Sequence, residues 1–99
     1  MRLIRYQLVM RTVQATFRFP QIHGAPIHIG DPSLIGIKDI HSPDFGDQSI
    51  LKEGEAPVFW ACGVTPQSIA MTSKPELMIT HVPGHMFICD PKDEDLAVL

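Results

Sequence analysis

Cysteine is scarce, with Cys62 and Cys89 the only two in 99 residues. Two thiols make no disulfide framework. Packing must therefore hold the fold, and a reducing compartment is expected: the cytoplasm, or the mitochondrial matrix for a eukaryotic source. Long apolar runs are missing as well. The run around Val58–Val64 falls far short of the roughly 18 residues of a membrane span, so no membrane partner is expected. Arg5 interrupts any apolar stretch after Met1, which argues against a secretory leader. Acids are absent from residues 1–30, which hold Arg2, Arg5, Arg11 and Arg18, whereas residues 31–99 set eleven acids against four lysines. An Arg-bearing, acid-free start can mark a transit peptide. The reading adopted is a basic strand and helix opening the fold. With a net charge of −3 and no basic stripe to replace phosphate counterions, nucleic acid is not an expected partner. There is no Cys-x-x-Cys, no internal repeat and no low-complexity segment.

Nine prolines and seven glycines are present, pointing to short elements joined by turns rather than a helical bundle. The length suits one domain over residues 1–99, able to bury roughly two-thirds of its unfolded surface. The expected class is α+β, a small mixed sheet with two short helices. Leu3–Met10 has the β-branched and aromatic content of a strand and also fits a helix, and a short strand is the reading adopted. Tyr6, Met10, Val13 and Phe17 share one helix face, and a helix is expected over Thr12–Arg18, closed before Pro20. Ile27 and Ile29 flank His28 on a short strand, and Leu34–Ile37 reads as another. Ser42–Gly54 is a surface loop. Val58–Cys62 is a strand apolar on both faces. Thr65-Pro66 reads as a helix start, with Thr65 at the N-cap and Pro66 at the first helical position. That helix runs to Ser73. Strands follow at Leu77–Thr80 and His85–Cys89, around a Val82-Pro83-Gly84 turn.

Chemistry-bearing residues gather late in the chain. Five histidines are present, four of them in pairs: His23 with His28, and His81 with His85. One reading is a metal site, since imidazole is a common zinc donor. The Pro-Gly turn between His81 and His85 excludes helical i, i+4 geometry, and no metal or other cofactor is assigned. The other reading is acid–base chemistry, because histidine titrates near physiological pH. The Gly63–Gln67 turn exposes backbone N–H groups at a helix start, which suits a carboxylate. Cys62 is a candidate nucleophile, and Gln67 offers an amide to a carboxylate or oxyanion.

Four separated stretches then fall into a recognisable order: RFPQIHGAPIHIGDP (Arg18–Pro32), PDFGD (Pro43–Asp47), PVFWACGVTPQ (Pro57–Gln67) and ITHVPGHMFICD (Ile79–Asp90). Together they resemble the D-glutamate cyclase family. The resemblance implies a hydro-lyase that closes D-glutamate to 5-oxo-D-proline with loss of water. It implies a small carboxylate as partner, and the chemistry of that cyclisation, which needs a base and an acid, makes His81, His85 and Cys62 the catalytic candidates. His28, Asp31, Gly63, Thr65 and Gln67 become substrate-binding candidates. Family members are typically more than twice as long, and these stretches form their C-terminal part. The chain is thus expected to be a partial copy, with reduced activity or with an oligomer burying the uncovered face. A remnant without turnover, binding a small carboxylate or a partner chain, is the rival reading. Tyr6–Phe17 is compressed relative to the family, and Val82 and Cys89 depart from its pattern.

Overall fold

The strand on which the fold is built is β3, Glu55–Phe59. In the computed structural model, which describes residues 1–99, β3 lies between β1 (Arg2–Arg5) and β2 (His28–Ile29). Leu3 stands opposite Pro57 and Ile4 opposite Ala56, while His28 pairs with Phe59 and Ile29 with Val58. Ala56, Val58 and Phe59 are buried, Val58 completely. Pro57 sits in the central strand, where a missing N–H is usually excluded. Here its carbonyl accepts from Gly30 N–H at 2.9 Å, just beyond the two-residue β2, so the absent donor falls where the neighbouring strand has ended.

Helix α1 (Tyr6–Phe17) follows β1 directly, its start pinned by Tyr6 N–H donating to Gly54 O at 3.0 Å. It is longer than the expected Thr12–Arg18 because that bond lets the chain turn helical as soon as β1 ends. Its inward stripe is Val9, Thr12, Val13 and Thr16, one position away from the expected Tyr6–Met10–Val13–Phe17 face. Tyr6, Met10 and Phe17 are exposed. Thr16 fixes the stripe, its hydroxyl accepting from Trp60 Nε1 at 3.3 Å and donating to Thr12 O at 3.0 Å. Arg18 holds the far end of the chain: its carbonyl accepts from Val98 N–H at 2.7 Å and its Nε donates to Leu99 O at 2.6 Å.

The class is α+β as expected, with a small sheet and two helices, but the sheet is antiparallel throughout rather than mixed. The second helix is α2 (Val64–Ser73). Neither Leu77–Thr80 nor His85–Cys89 pairs as a strand, and neither makes a backbone hydrogen bond to the sheet. Leu34–Ile37 is not a strand either. Pro32–Ile35 forms a 3-10 turn, opened by Asp31 Oδ1 accepting from Ser33 N–H at 2.9 Å and closed by Gly36 at φ 80°. The Asp-Pro start and the glycine end, which only a residue without Cβ adopts cheaply, outweigh the strand preference of two isoleucines. The fold is open: its radius of gyration is 15.0 Å, against about 13 Å for a packed domain of this length. No helix is long and apolar enough to cross a membrane.

Candidate active site at the start of the second helix

After β3 the chain passes Trp60 and Ala61 and turns into α2 at Cys62-Gly63. Gly63 caps α2, and Thr65 lies inside its first turn instead of at the expected N-cap. The displacement comes from a local loop of two bonds. Thr65 N–H donates to Cys62 O at 3.0 Å, and Thr65 Oγ1 accepts from Cys62 N–H at 3.2 Å. The Thr65 hydroxyl proton stays free to donate. Gly63 N–H and Val64 N–H donate to no protein acceptor, leaving two amides at the positive end of α2.

His81 comes to this same point. A Cβ placed on Gly63 would lie 2.5 Å from His81 Nε2 and 3.2 Å from its Cδ2. The imidazole therefore rests on the bare face of Gly63. Its Nδ1 donates to Val82 O at 2.9 Å, and since a carbonyl can only accept, the neutral ring carries its proton on Nδ1. Nε2, at the helix start, keeps a lone pair. Gln67 Nε2 donates to His81 O at 2.7 Å, and Thr80 Oγ1 donates to the same oxygen at 3.1 Å. One N–H of Gln67 is thus committed to holding His81, and Oε1 and the second N–H remain for a ligand.

A cleft of about 590 Å³ opens beside this cluster. Cys62, Thr65, Pro83 and Gly84 form one wall, and Asp39, Ser42 and Phe45 belong to the loop opposite. The turn between the two late histidines thus reaches the cleft, although His85 itself is exposed and makes only a long contact, Nδ1 to Pro83 O at 3.4 Å. Asp39 is a wall residue that sequence reasoning did not single out. Its carboxylate accepts from His41 N–H at 2.9 Å and from Ser42 Oγ at 3.1 Å, and these two bonds, that from His41 first, hold its carboxyl below the usual carboxylate range. The signal available was the Asp-x-x-Ser-Pro spacing of a side-chain-closed turn.

The earlier candidates lie elsewhere. His28 Nε2 donates to Asp31 O at 2.7 Å, and its ring leans on Phe59 with centroids 5.8 Å apart. Phe59 touches the cleft, so His28 stands one side chain behind it. Asp31 is spent capping the 3-10 turn, where hydrogen bonding from Ser33 lowers its pKa, and it lines a separate cleft of about 520 Å³ with Tyr6, Met10 and Glu55. His23 Nδ1 donates to Ala61 O at 3.0 Å, a bond that secures the segment after β3. No three His, Cys, Asp or Glu side chains gather in a ligating arrangement.

The sequence model of the D-glutamate cyclase family matches residues 1–90. The chain belongs to that family. A Psychrobacter arcticus protein carrying a provisional hydro-lyase name is 84% identical over all 99 residues. Similarly named proteins from Geobacillus kaustophilus and Bacillus subtilis are 67% and 60% identical over the same length. The chain spans 38% of the length of each of these three relatives. The D-glutamate cyclase family match takes in every residue of the Cys62–Gln67 turn and of the His81–His85 segment.

Proposed function

We propose that this chain carries the proton-transfer centre of a carbon–oxygen hydro-lyase acting on D-glutamate, and that His81 is its base. The observation that supports it most directly is the placement of His81 Nε2 against Gly63, with Nδ1 engaged by Val82 O, beside two free amides and a cleft. Cyclisation forms a bond between the amine nitrogen and the γ-carboxyl carbon and breaks one carbon–oxygen bond, releasing water. The nitrogen gives up two protons and the departing oxygen takes two. His81 Nε2 accepts the first from the ammonium group, so that the amine can attack, and passes it to the carboxyl oxygen. It repeats the transfer after the attack, when the hydroxyl leaves as water. Gly63 and Val64 N–H suit the carboxylate or the oxyanion between these steps, and the Thr65 hydroxyl is a further donor. Cys62 belongs to the wall, and His85 assists from the far side of the Pro83-Gly84 turn. The two free cysteines suit a reducing compartment such as the cytoplasm.

The rival, a carboxylate-binding chain without turnover, draws on the same free amides but needs no base. Incubation with D-glutamate and detection of 5-oxoproline separates the two. It is run on the chain itself and on the Psychrobacter relative with this chain replacing its aligned segment. His81→Ala should lower the rate about 10²- to 10⁴-fold, the range for loss of a general acid–base, and His85→Ala less. Unchanged rates in both variants would remove the assignment. Binding of D-glutamate with no product in either protein would favour the rival.

A further inference from the structure

The segment from Leu77 to Ile88 does not behave as a surface. Leu77, Ile79, Met86, Phe87 and Ile88 are each between 79% and 88% exposed. Adjacent residues are apolar, so both faces of any extended conformation are apolar. A solvated edge alternates polar with apolar, whereas a strand covered on both sides reads as a continuous apolar run. The backbone says the same. Between Pro75 and Pro91 only one backbone–backbone hydrogen bond forms, His85 N–H to Val82 O at 3.0 Å, across the turn. The remaining N–H and C=O groups here have no ladder to join, the condition that invites strand addition.

We propose that Leu77–Thr80 and His85–Ile88 are two inner strands whose sheet is completed by polypeptide from outside these 99 residues. The occupant is the larger part of the D-glutamate cyclase family's length, beyond the 38% that this chain spans in its relatives. That polypeptide covers both faces of the two strands. A second copy of this chain fits less well. It would bring the same two-sided apolar strands, and pairing edge to edge would leave their faces bare. The proposal does not depend on the reaction assigned to His81. It does carry a consequence for it: the Val82-Pro83-Gly84 turn that brings His81 to Gly63 is the link between these two strands, so covering them fixes the turn.

Hydrogen exchange tests this on two proteins, the chain alone and the Psychrobacter relative with this chain in place of its aligned segment. Amides of Leu77–Thr80 and His85–Ile88 should exchange freely in the first and at least about a hundredfold more slowly in the second. Phe87→Asp adds a second readout. It should leave the chain alone unchanged in solubility and spectrum, as exposed positions do, and should unfold the chimaera. Equal exchange in both proteins would overturn the proposal. So would protection in the chain alone together with a dimeric mass by light scattering, which would make a second copy the occupant. An insoluble chimaera beside a soluble relative would overturn it too, because this chain would then not fit the remaining polypeptide. All these readouts are independent of turnover, so a failed assignment of His81 leaves them intact.

Discussion

Replacing Gly63 by alanine separates the needs of the backbone from those of the site. Gly63 has φ −59° and ψ −19°, a conformation any residue adopts, so the glycine is not there for its backbone freedom. Alanine in that conformation gains about 0.4–1 kcal/mol by restricting the unfolded chain. At a helix N-cap it loses a comparable amount relative to glycine. The melting temperature should therefore barely move. The added Cβ, however, would stand 2.5 Å from His81 Nε2, and an ordinary contact begins at 3.4 Å, so the ring must retreat by about 0.9 Å. The ring is the exposed end of a side chain and can swing away cheaply, which is why stability is spared. A displacement of about 1 Å at a reacting group can cost on the order of a hundredfold in rate. The expected result is a near-native melt, altered His81 imidazole resonances in ¹⁵N long-range correlation spectra, and 5-oxoproline formation reduced about 10- to 100-fold. In a His81→Ala background the same change should do nothing further, since the two substitutions act on one contact. Unaltered His81 resonances, or an equal additional loss in that background, would refute the reasoning.

Three other outcomes follow from the hydrogen bonds. Gln67→Leu removes the 2.7 Å donor on His81 O and should lower the rate about tenfold with little change in melting, Gln67→Asn failing to restore it because its amide is a methylene shorter. Thr16→Val leaves Trp60 Nε1 without its 3.3 Å acceptor and should cost about 1 kcal/mol, a fall of several degrees in melting temperature by circular dichroism. Asp39 is held below its ordinary 3.8 by bonds that need the ionised carboxylate. Its contribution to loop stability is therefore present above that value and is lost as the pH falls through the lower folded-state value. A ¹³C carboxyl titration should place the Asp39 midpoint below 3.8, and a midpoint at or above it would contradict the two bonds.

Features set by neighbours in sequence were readable from the residues alone. The stop before Pro20, the α2 span ending at Ser73 and the surface loop through Ser42–Gly54 all rest on local chemistry. Even so, local chemistry at Thr65 was misjudged. A threonine before a proline can cap a helix, but here its hydroxyl reaches back to Cys62 N–H, and the capping position shifts to Gly63. The role of Gly63 was visible only in part, because its turn is a matter of sequence whereas the need for bare space is a matter of what packs on it. His81 lies 18 positions away, and no spacing rule joins the two. Asp31 shows the reverse case: a residue that looked available to substrate is taken by Ser33, two positions on.

The strands that failed to form are the most instructive departure. Leu77–Thr80 and His85–Cys89 have strand composition, and β-propensity chiefly measures fit to a pleated, covered surface rather than a preference of the backbone itself. Such a segment states what it needs without supplying it. β3 finds its cover within these residues, with β1 on one edge, β2 on the other and the Thr12–Thr16 stripe of α1 packed nearby. The later segment finds none, and its apolar side chains lie open. The same reasoning bears on the expanded radius of gyration, since that apolar segment lies open. His81 stands at the end of that stretch. Its contact with Gly63 is accompanied by bonds to Val82 and Gln67, so the imidazole is held although the stretches on either side of it are unpaired. A cluster held by a few hydrogen bonds explains how His81 reaches Gly63 although Leu77–Thr80 and His85–Cys89 stay unpaired.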